Sequence, residues 1–362
     1  MNDLFYFRKK YCQIRNIILN RLLIYYIVTY FFKGDKMRIL KKNKMYLLAP
    51  LLVVFFVAGE VHANQPLTSI KWLQQNLANS DIVIVDLRNK IDKGGIEAYR
   101  KGHIPGSLHS DYLKAGWRVT KNGVPGLLPE KVDFEKLVSG LGISNKSHVI
   151  LVPAGVSSSD FGTAARAYWQ FKVYGHDMVS ILDGGYSAWL KAGSNHIEKG
   201  HGRIPKATKF TATFRPDLYI DTKEVAILAK TGSATLLDAR NEIQWKGNAK
   251  HPKARAPGRI PRSTWQWQGD SYDDGTNRLK SKSDLAGIFK LVNNAPVVSY
   301  CNTGHWAATN WFVLSEILGR NNVRLYDGSM TSWSADQNLP LVTSQTKLDD
   351  IKDWLKERLN KT

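Results

Sequence analysis

Short apolar runs alternate along this chain with stretches in which apolar residues recur every three or four positions. The runs Ile82-Val83-Ile84-Val85, Val149-Ile150-Leu151-Val152, Leu236-Leu237 and Val297-Val298 show no polar alternation, so they read as strands covered on both faces. Helical spacing spans Ser69–Ala78, Phe134–Leu141, Thr163–Tyr174, Thr222–Lys230, Ser283–Val292 and Ala307–Leu318. Strands interleaved with helices predict an α/β fold in which a mostly parallel sheet carries helices on both faces.

The pattern occurs twice. Asp81–Arg88 answers to Ala234–Arg240, Gly102–Ser107 to Gly258–Ser263, Val149–Val152 to Val297–Tyr300, and Leu182–Trp189 to Tyr326–Trp333. Four blocks in one order, at offsets of 152, 156, 148 and 144 residues, indicate two copies of one fold rather than a short-period solenoid. One domain is expected at residues 64–195 and the other at 217–345. Residues 196–216, rich in Gly, Lys, His and Pro without a period, read as the linker, and residues 346–362 read as a C-terminal helix.

The N-terminus reads as an export signal. Met37–Lys44 is positively charged, Met45–Ala58 is apolar apart from Pro50, and Val61-His62-Ala63 is a small-x-small cleavage site. Residues 37–63 are therefore expected to be a Sec-type signal peptide, with a mature chain beginning at Asn64 in the periplasm or outside the cell. Residues 1–36 read as sequence upstream of the true start. The rival reading, a membrane anchor, meets a run from Ile17 to Phe32 that Asn20 and Arg21 interrupt and that is short for a span. Nothing after Ala63 is apolar for long enough to cross a bilayer, so no stable membrane insertion is expected after processing.

The formal net charge is +20. Residues 1–63 hold 11 Lys and Arg against 3 Asp and Glu, so +12 stays on the remainder and favours anionic partners. The cations are scattered and no helix-turn-helix, zinc-finger or aromatic RNA-binding signature accompanies them, so nucleic acid is not expected as a partner.

Cys12 falls in the segment expected to be lost, which leaves Cys301 unpaired in an exported protein. In Val297-Val298-Ser299-Tyr300-Cys301-Asn302-Thr303-Gly304-His305-Trp306-Ala307 an apolar strand runs into a tight loop and then a helix. Backbone N–H groups and the helix dipole at such a turn favour a thiolate, so Cys301 reads as a nucleophile, against the alternative of a buried small hydrophobe. Gly304 supplies the backbone freedom such a loop needs. His305 reads as a residue that shapes the pocket or meets substrate rather than as a general base, and Trp306 as a wall of the site or as core.

These residues resemble a known family, the tandem rhodanese-like sulfurtransferases. The resemblance covers about residues 68–340 and rests on the Asp-x-Arg strand end, the Gly-His-Ile-Pro-Gly segment, the Cys-x-x-Gly loop and the Asp-Gly-Gly-x-x-x-Trp turn. It implies two rhodanese-like domains, an inactive N-terminal one and a catalytic C-terminal one. Pro153-Ala154-Gly155 stands in the first copy where the second has Cys301. It further implies transfer of a sulfane sulfur from a small anionic donor (thiosulfate, 3-mercaptopyruvate or a persulfide) to a thiol or cyanide through a persulfide on Cys301. The loop would be formed by Asn302, Thr303, Gly304, His305, Trp306 and Ala307. Thiosulfate-using members carry cations in this loop and mercaptopyruvate-using members a small Gly/Ser loop, and this loop is neither. Gln244 also stands where members often have arginine.

The same chemistry follows from the residues: loop N–H groups that stabilise a thiolate also stabilise a persulfide anion, so no metal or organic cofactor is needed. Asp238 and Arg240 recur as Asp86 and Arg88 in the cysteine-free copy, which points to a structural role for the pairs. Arg240, Lys246 and Arg259 are candidate cations for an anionic donor, and Lys250, His251, Lys253 and Arg255 extend a cationic collar. Two other cysteine or serine chemistries fail on spacing. A phosphatase loop needs arginine at position 307, which is Ala, and Ser157–Ser159 lacks the Gly-x-Ser-x-Gly elbow of a hydrolase. A slow persulfide carrier remains the alternative to an enzyme.

Overall fold

Two parallel sheets carry the fold. The computed structural model describes residues 65–193, 196–273, 276–292 and 295–344; the expected upstream extension, signal peptide and C-terminal helix lie outside them. Among the described residues no helix is long and apolar enough to cross a membrane.

The first copy runs β1 (Leu67–Thr68), α1 (Ile70–Asn76), β2 (Ile82–Asp86), α2 (Ile96–Lys101), β3 (Leu108–His109), the hairpin β4 (Val119–Lys121) and β5 (Val124–Leu127), α3 (Lys131–Gly140), β6 (His148–Val152), α4 (Ser158–Val173), β7 (Val179–Leu182) and α5 (Gly185–Lys191). Its sheet has the order β1-β7-β6-β2-β3, every neighbouring pair parallel. The second copy runs α6 (Thr222–Thr231), β8 (Thr235–Asp238), α7 (Glu242–Lys246), β9 (Thr264–Trp265), α8 (Lys282–Ile288), β10 (Val297–Tyr300), α9 (Trp306–Phe312), β11 (Val323–Leu325) and α10 (Ser329–Trp333). Its sheet is parallel in the order β11-β10-β8-β9. A parallel bridge from Tyr219 to Leu325 repeats the pairing of Leu67 with Ile181 in the first copy.

Both faces of each sheet are covered, which explains the unbroken apolar runs. In β2, Val83 and Val85 enter one core while Ile82 and Ile84 enter another with Ile70, Leu73 and Trp189. The larger core is shared between the copies: Phe161 and Tyr168 of α4 meet Phe312 of α9 edge-on, with ring centroids 5.8 and 5.0 Å apart. Burial on all sides also explains why helical spacing predicts α4 only from Thr163. The helix begins at Ser158, capped by Ser157, whose Oγ accepts from Asp160 N–H at 3.2 Å. The serine run thus caps a helix.

The segment expected to be a linker is strapped to the first copy. Phe210 and Ala212 are buried, and the backbone N–H groups of Phe210, Ala212 and Thr213 donate to Ser139 Oγ, Glu135 Oε1 and Tyr174 O.

Candidate active site

Cys301 follows β10 and is 1% exposed. The chain then turns through Asn302–His305 into α9, with Thr303 and Trp306 half-buried and the others buried. Gly304 has φ +67°, and a Cβ there would lie 2.2 Å from Arg166 Nη1 and 2.7 Å from Asp327 Cα, so a side chain is excluded twice over. Among the described residues, the N–H groups of Asn302, Thr303, His305, Trp306 and Ala307 find no protein acceptor. The last two are open because they begin a helix. A turn with several free N–H groups at a helix start favours negative charge beside it.

Ser329, the first residue of α10, holds the loop from below. Its Oγ accepts from Cys301 N–H at 3.0 Å and from Gly304 N–H at 3.1 Å, and donates to Tyr326 O at 2.7 Å. Met330 N–H and Thr331 N–H donate to Cys301 O and Asn302 O. In the first copy Tyr186 N–H and Ser187 N–H donate to Pro153 O and Ala154 O, so Pro153 occupies the place of Cys301 and Gly185 that of Ser329. Gly185 has φ +60° and Ser329 φ +47°. A serine kept where the backbone favours glycine points to work done by its hydroxyl. The change from Asp-Gly-Gly to Asp-Gly-Ser between the repeats was the available signal, and sequence reasoning passed over it.

The first copy supplies the walls. Arg166, fully buried on α4, donates to Gly304 O at 3.2 Å and Gly126 O at 3.1 Å and pairs with Asp327 at 3.4 Å. Asp327 accepts from Leu128 N–H at 2.7 Å. Arg118 donates to Thr303 O at 3.1 Å. Trp306 Nε1–H donates to Ser159 Oγ at 3.0 Å. None of these first-copy residues carries a motif, and only folding brings them to the loop.

His305 is committed on both ring nitrogens. Nε2 lies 2.7 Å from Ser159 O, an obligatory acceptor, so Nε2 carries the proton and Nδ1 accepts from Tyr112 O–H at 3.1 Å. Burial, with the charges of Arg118 and Arg166, lowers its pKa to about 3, so the ring is neutral. It ties the loop to the first copy and has no nitrogen left for a proton transfer.

The candidate cations of the second copy each hold a partner of their own. Arg240 is 1% exposed and forks onto Asp238, with Nη2 2.6 Å from Oδ2 and 2.9 Å from Gly258 O. Arg88 does the same with Asp86 and Gly102 O. Each pair clamps a strand end to the following Ile-Pro turn, which takes up Nε and Nη2 of Arg240. Lys246 pairs with Glu242 at 2.7 Å on the exposed face of α7. Arg259 lies over the Trp245 ring and donates to Trp245 O and Ser344 Oγ. In the collar, Lys250 Nζ donates to Ala254 O and Arg255 Nε to Ser334 O. Asn302 turns its amide to Gln244 Oε1 at 3.0 Å, which joins the loop to α7.

The family model described as the Rhodanese-like domain matches residues 69–192 and 221–336. The chain belongs to the rhodanese-like family. It is a sulfurtransferase with the rhodanese fold in two tandem copies. A candidate thiosulfate sulfurtransferase of Saccharopolyspora erythraea is 31% identical over 289 residues, covering 77% of this chain and 96% of that protein. Thiosulfate/3-mercaptopyruvate sulfurtransferase 2 of Arabidopsis thaliana is 29% identical over 312 residues, covering 79% and 89%. Among solved structures, SseA from Escherichia coli, described as a 3-mercaptopyruvate sulfotransferase, superposes with a TM-score of 0.62 at 24% identity, covering 73% of this chain and 98% of that one.

Proposed function

We propose that this rhodanese-like sulfurtransferase moves a sulfane sulfur from a small anionic donor, thiosulfate, 3-mercaptopyruvate or a persulfide, to a thiol or cyanide through a persulfide on Cys301. The observation that carries this reading is the placement of Cys301 under a turn whose N–H groups at Asn302, Thr303, His305, Trp306 and Ala307 are open, at the position where the first copy has Pro153. The Cys301 thiolate attacks the outer sulfur of thiosulfate, the S–S bond breaks and sulfite leaves. Cyanide or a thiolate then attacks the outer sulfur of the persulfide, releasing thiocyanate or a new persulfide and restoring the thiolate. Charge stays at the sulfur throughout, so the same N–H groups serve each state and neither metal nor organic cofactor takes part.

The reacting sulfur is buried and the loop is braced by Ser329, Arg166 and His305, so orientation rather than acid–base chemistry carries the rate. Thiosulfate has a named user among the relatives, and so has 3-mercaptopyruvate. The Met37–Ala63 segment supports action outside the cytoplasm, where a lone thiol is not lost to pairing within the chain. Steady-state thiocyanate formation from thiosulfate and cyanide tests the reading. Turnover in the wild type that Cys301→Ser abolishes, with the fold kept, supports it. Turnover that survives in Cys301→Ser overturns it.

A further inference from the structure

We propose that Arg118, supplied by the cysteine-free copy, holds the oxyanion end of the sulfur donor over the Cys301 loop. The proposal rests on the sulfurtransferase reading above and deepens it. An anionic donor needs a cation at the mouth, and the loop Cys301–Ala307 contains none. The three candidate cations of the second copy each hold a partner already: Arg240 forks onto Asp238, Lys246 pairs with Glu242, and Arg259 makes the Trp245–Ser344 contact.

Arg118 differs from them. It is half-buried beside β4, and Nη2 reaches Thr303 O on the half-buried rim of the loop. Its guanidinium stands 5.4 Å from the Tyr112 ring, and a Cβ built on Gly126 would touch both Arg118 Nη2 and Thr303 Cβ, so the hairpin glycine makes room for it. Among the described residues no carboxylate lies within ion-pair distance of it, unlike Arg166, which takes Asp327. Guanidinium N–H groups remain for a planar or tetrahedral oxyanion, the geometry that arginine recognises best. Lys250 and Lys253 of the collar add to the field: after burial, their charges and that of Arg118 lower the pKa of His251. The oxyanion chemistry is shared by a sulfonate and a carboxylate, so thiosulfate and 3-mercaptopyruvate both qualify.

The test compares Arg118→Gln and Arg118→Lys with the wild type, using thiosulfate, 3-mercaptopyruvate and the persulfide of a thiol without carboxylate or sulfonate as donors. Loss of one charge-assisted contact should raise KM for the two oxyanion donors about ten- to hundredfold in Arg118→Gln, with kcat and the oxyanion-free persulfide changed less than about twofold. Arg118→Lys, which keeps charge but not the fork, should recover part of the loss. The oxyanion donor that shifts more identifies which oxyanion the arginine holds. Unchanged KM values, or equal losses with and without an oxyanion on the donor, would overturn the proposal and leave Arg118 a brace for Thr303. Titration with inorganic sulfate, followed by calorimetry, reads the same site without turnover: the wild type should bind it and Arg118→Gln should not. A wild type that forms no persulfide yet binds sulfate through Arg118 would sink the sulfurtransferase reading and keep the anion site.

Discussion

Ser329 Oγ accepts from Cys301 N–H at 3.0 Å while the Ser329 backbone sits at φ +47°, so the hydroxyl that positions the cysteine is bought with local strain. Ser329→Ala removes the acceptor for two buried N–H groups and keeps the strain, whereas Ser329→Gly removes the acceptor and relieves it. The alanine variant should therefore be less stable than the glycine variant by about 1 kcal/mol, both being below the wild type. Urea unfolding checks the order. Persulfide formation should slow by about tenfold or more in both, because the loop loses its floor. Equal rates in all three proteins would show that Ser329 has no part in placing Cys301.

Arg166 and Asp327 form a buried ion pair between the copies at 3.4 Å. Arg166→Met leaves Asp327 charged in an apolar setting and should cost about 3–5 kcal/mol. Arg166→Met combined with Asp327→Asn should cost less than the sum of the single changes, since the uncompensated charge is gone. Additive losses in the double-mutant cycle would mean that the two side chains do not interact.

The α/β class, the repeat and the Cys301 loop were legible because they depend on local pattern: buried strands, ordered motifs and a thiol between a strand and a helix. The pairing of Asp86 with Arg88 and of Asp238 with Arg240 was legible from the recurrence of the motif in a copy without cysteine. Arg118, Tyr112, Ser159 and Arg166 were not legible. They lie more than a hundred residues from Cys301 in sequence, and reach its loop only because the two copies pack against each other. The start of α4 was hidden for the same reason, since a helix buried on every side shows no amphipathic period.

His305 makes stability depend on pH. Its pKa is about 3 in the fold and 6.5 when unfolded, so between these values the unfolded chain binds a proton that the native protein does not. Stability from this group is whole above pH 6.5 and falls as pH drops toward 3, by up to about 1.4 kcal/mol per unit. His148, lowered to about 4 by burial, acts in the same direction. Asp160, raised to about 6 by burial, opposes them between pH 6 and 3.8, because the native state then binds the extra proton. Urea unfolding at pH 6.5 and 4.5 should show His305→Gln losing less stability over that interval than the wild type. Parallel losses would mean that His305 titrates normally in the fold.

In the proposed reaction Cys301 carries the transferred sulfur. Intact-protein mass spectrometry after incubation with thiosulfate, 3-mercaptopyruvate or a polysulfide reads it directly, with peptide mapping to place the adduct. The wild type should gain the mass of one sulfur atom on Cys301, lose it on addition of cyanide, and the Cys301→Ser protein should gain nothing. A wild type that stays unmodified with every donor, or an added sulfur that maps away from Cys301, would contradict the account.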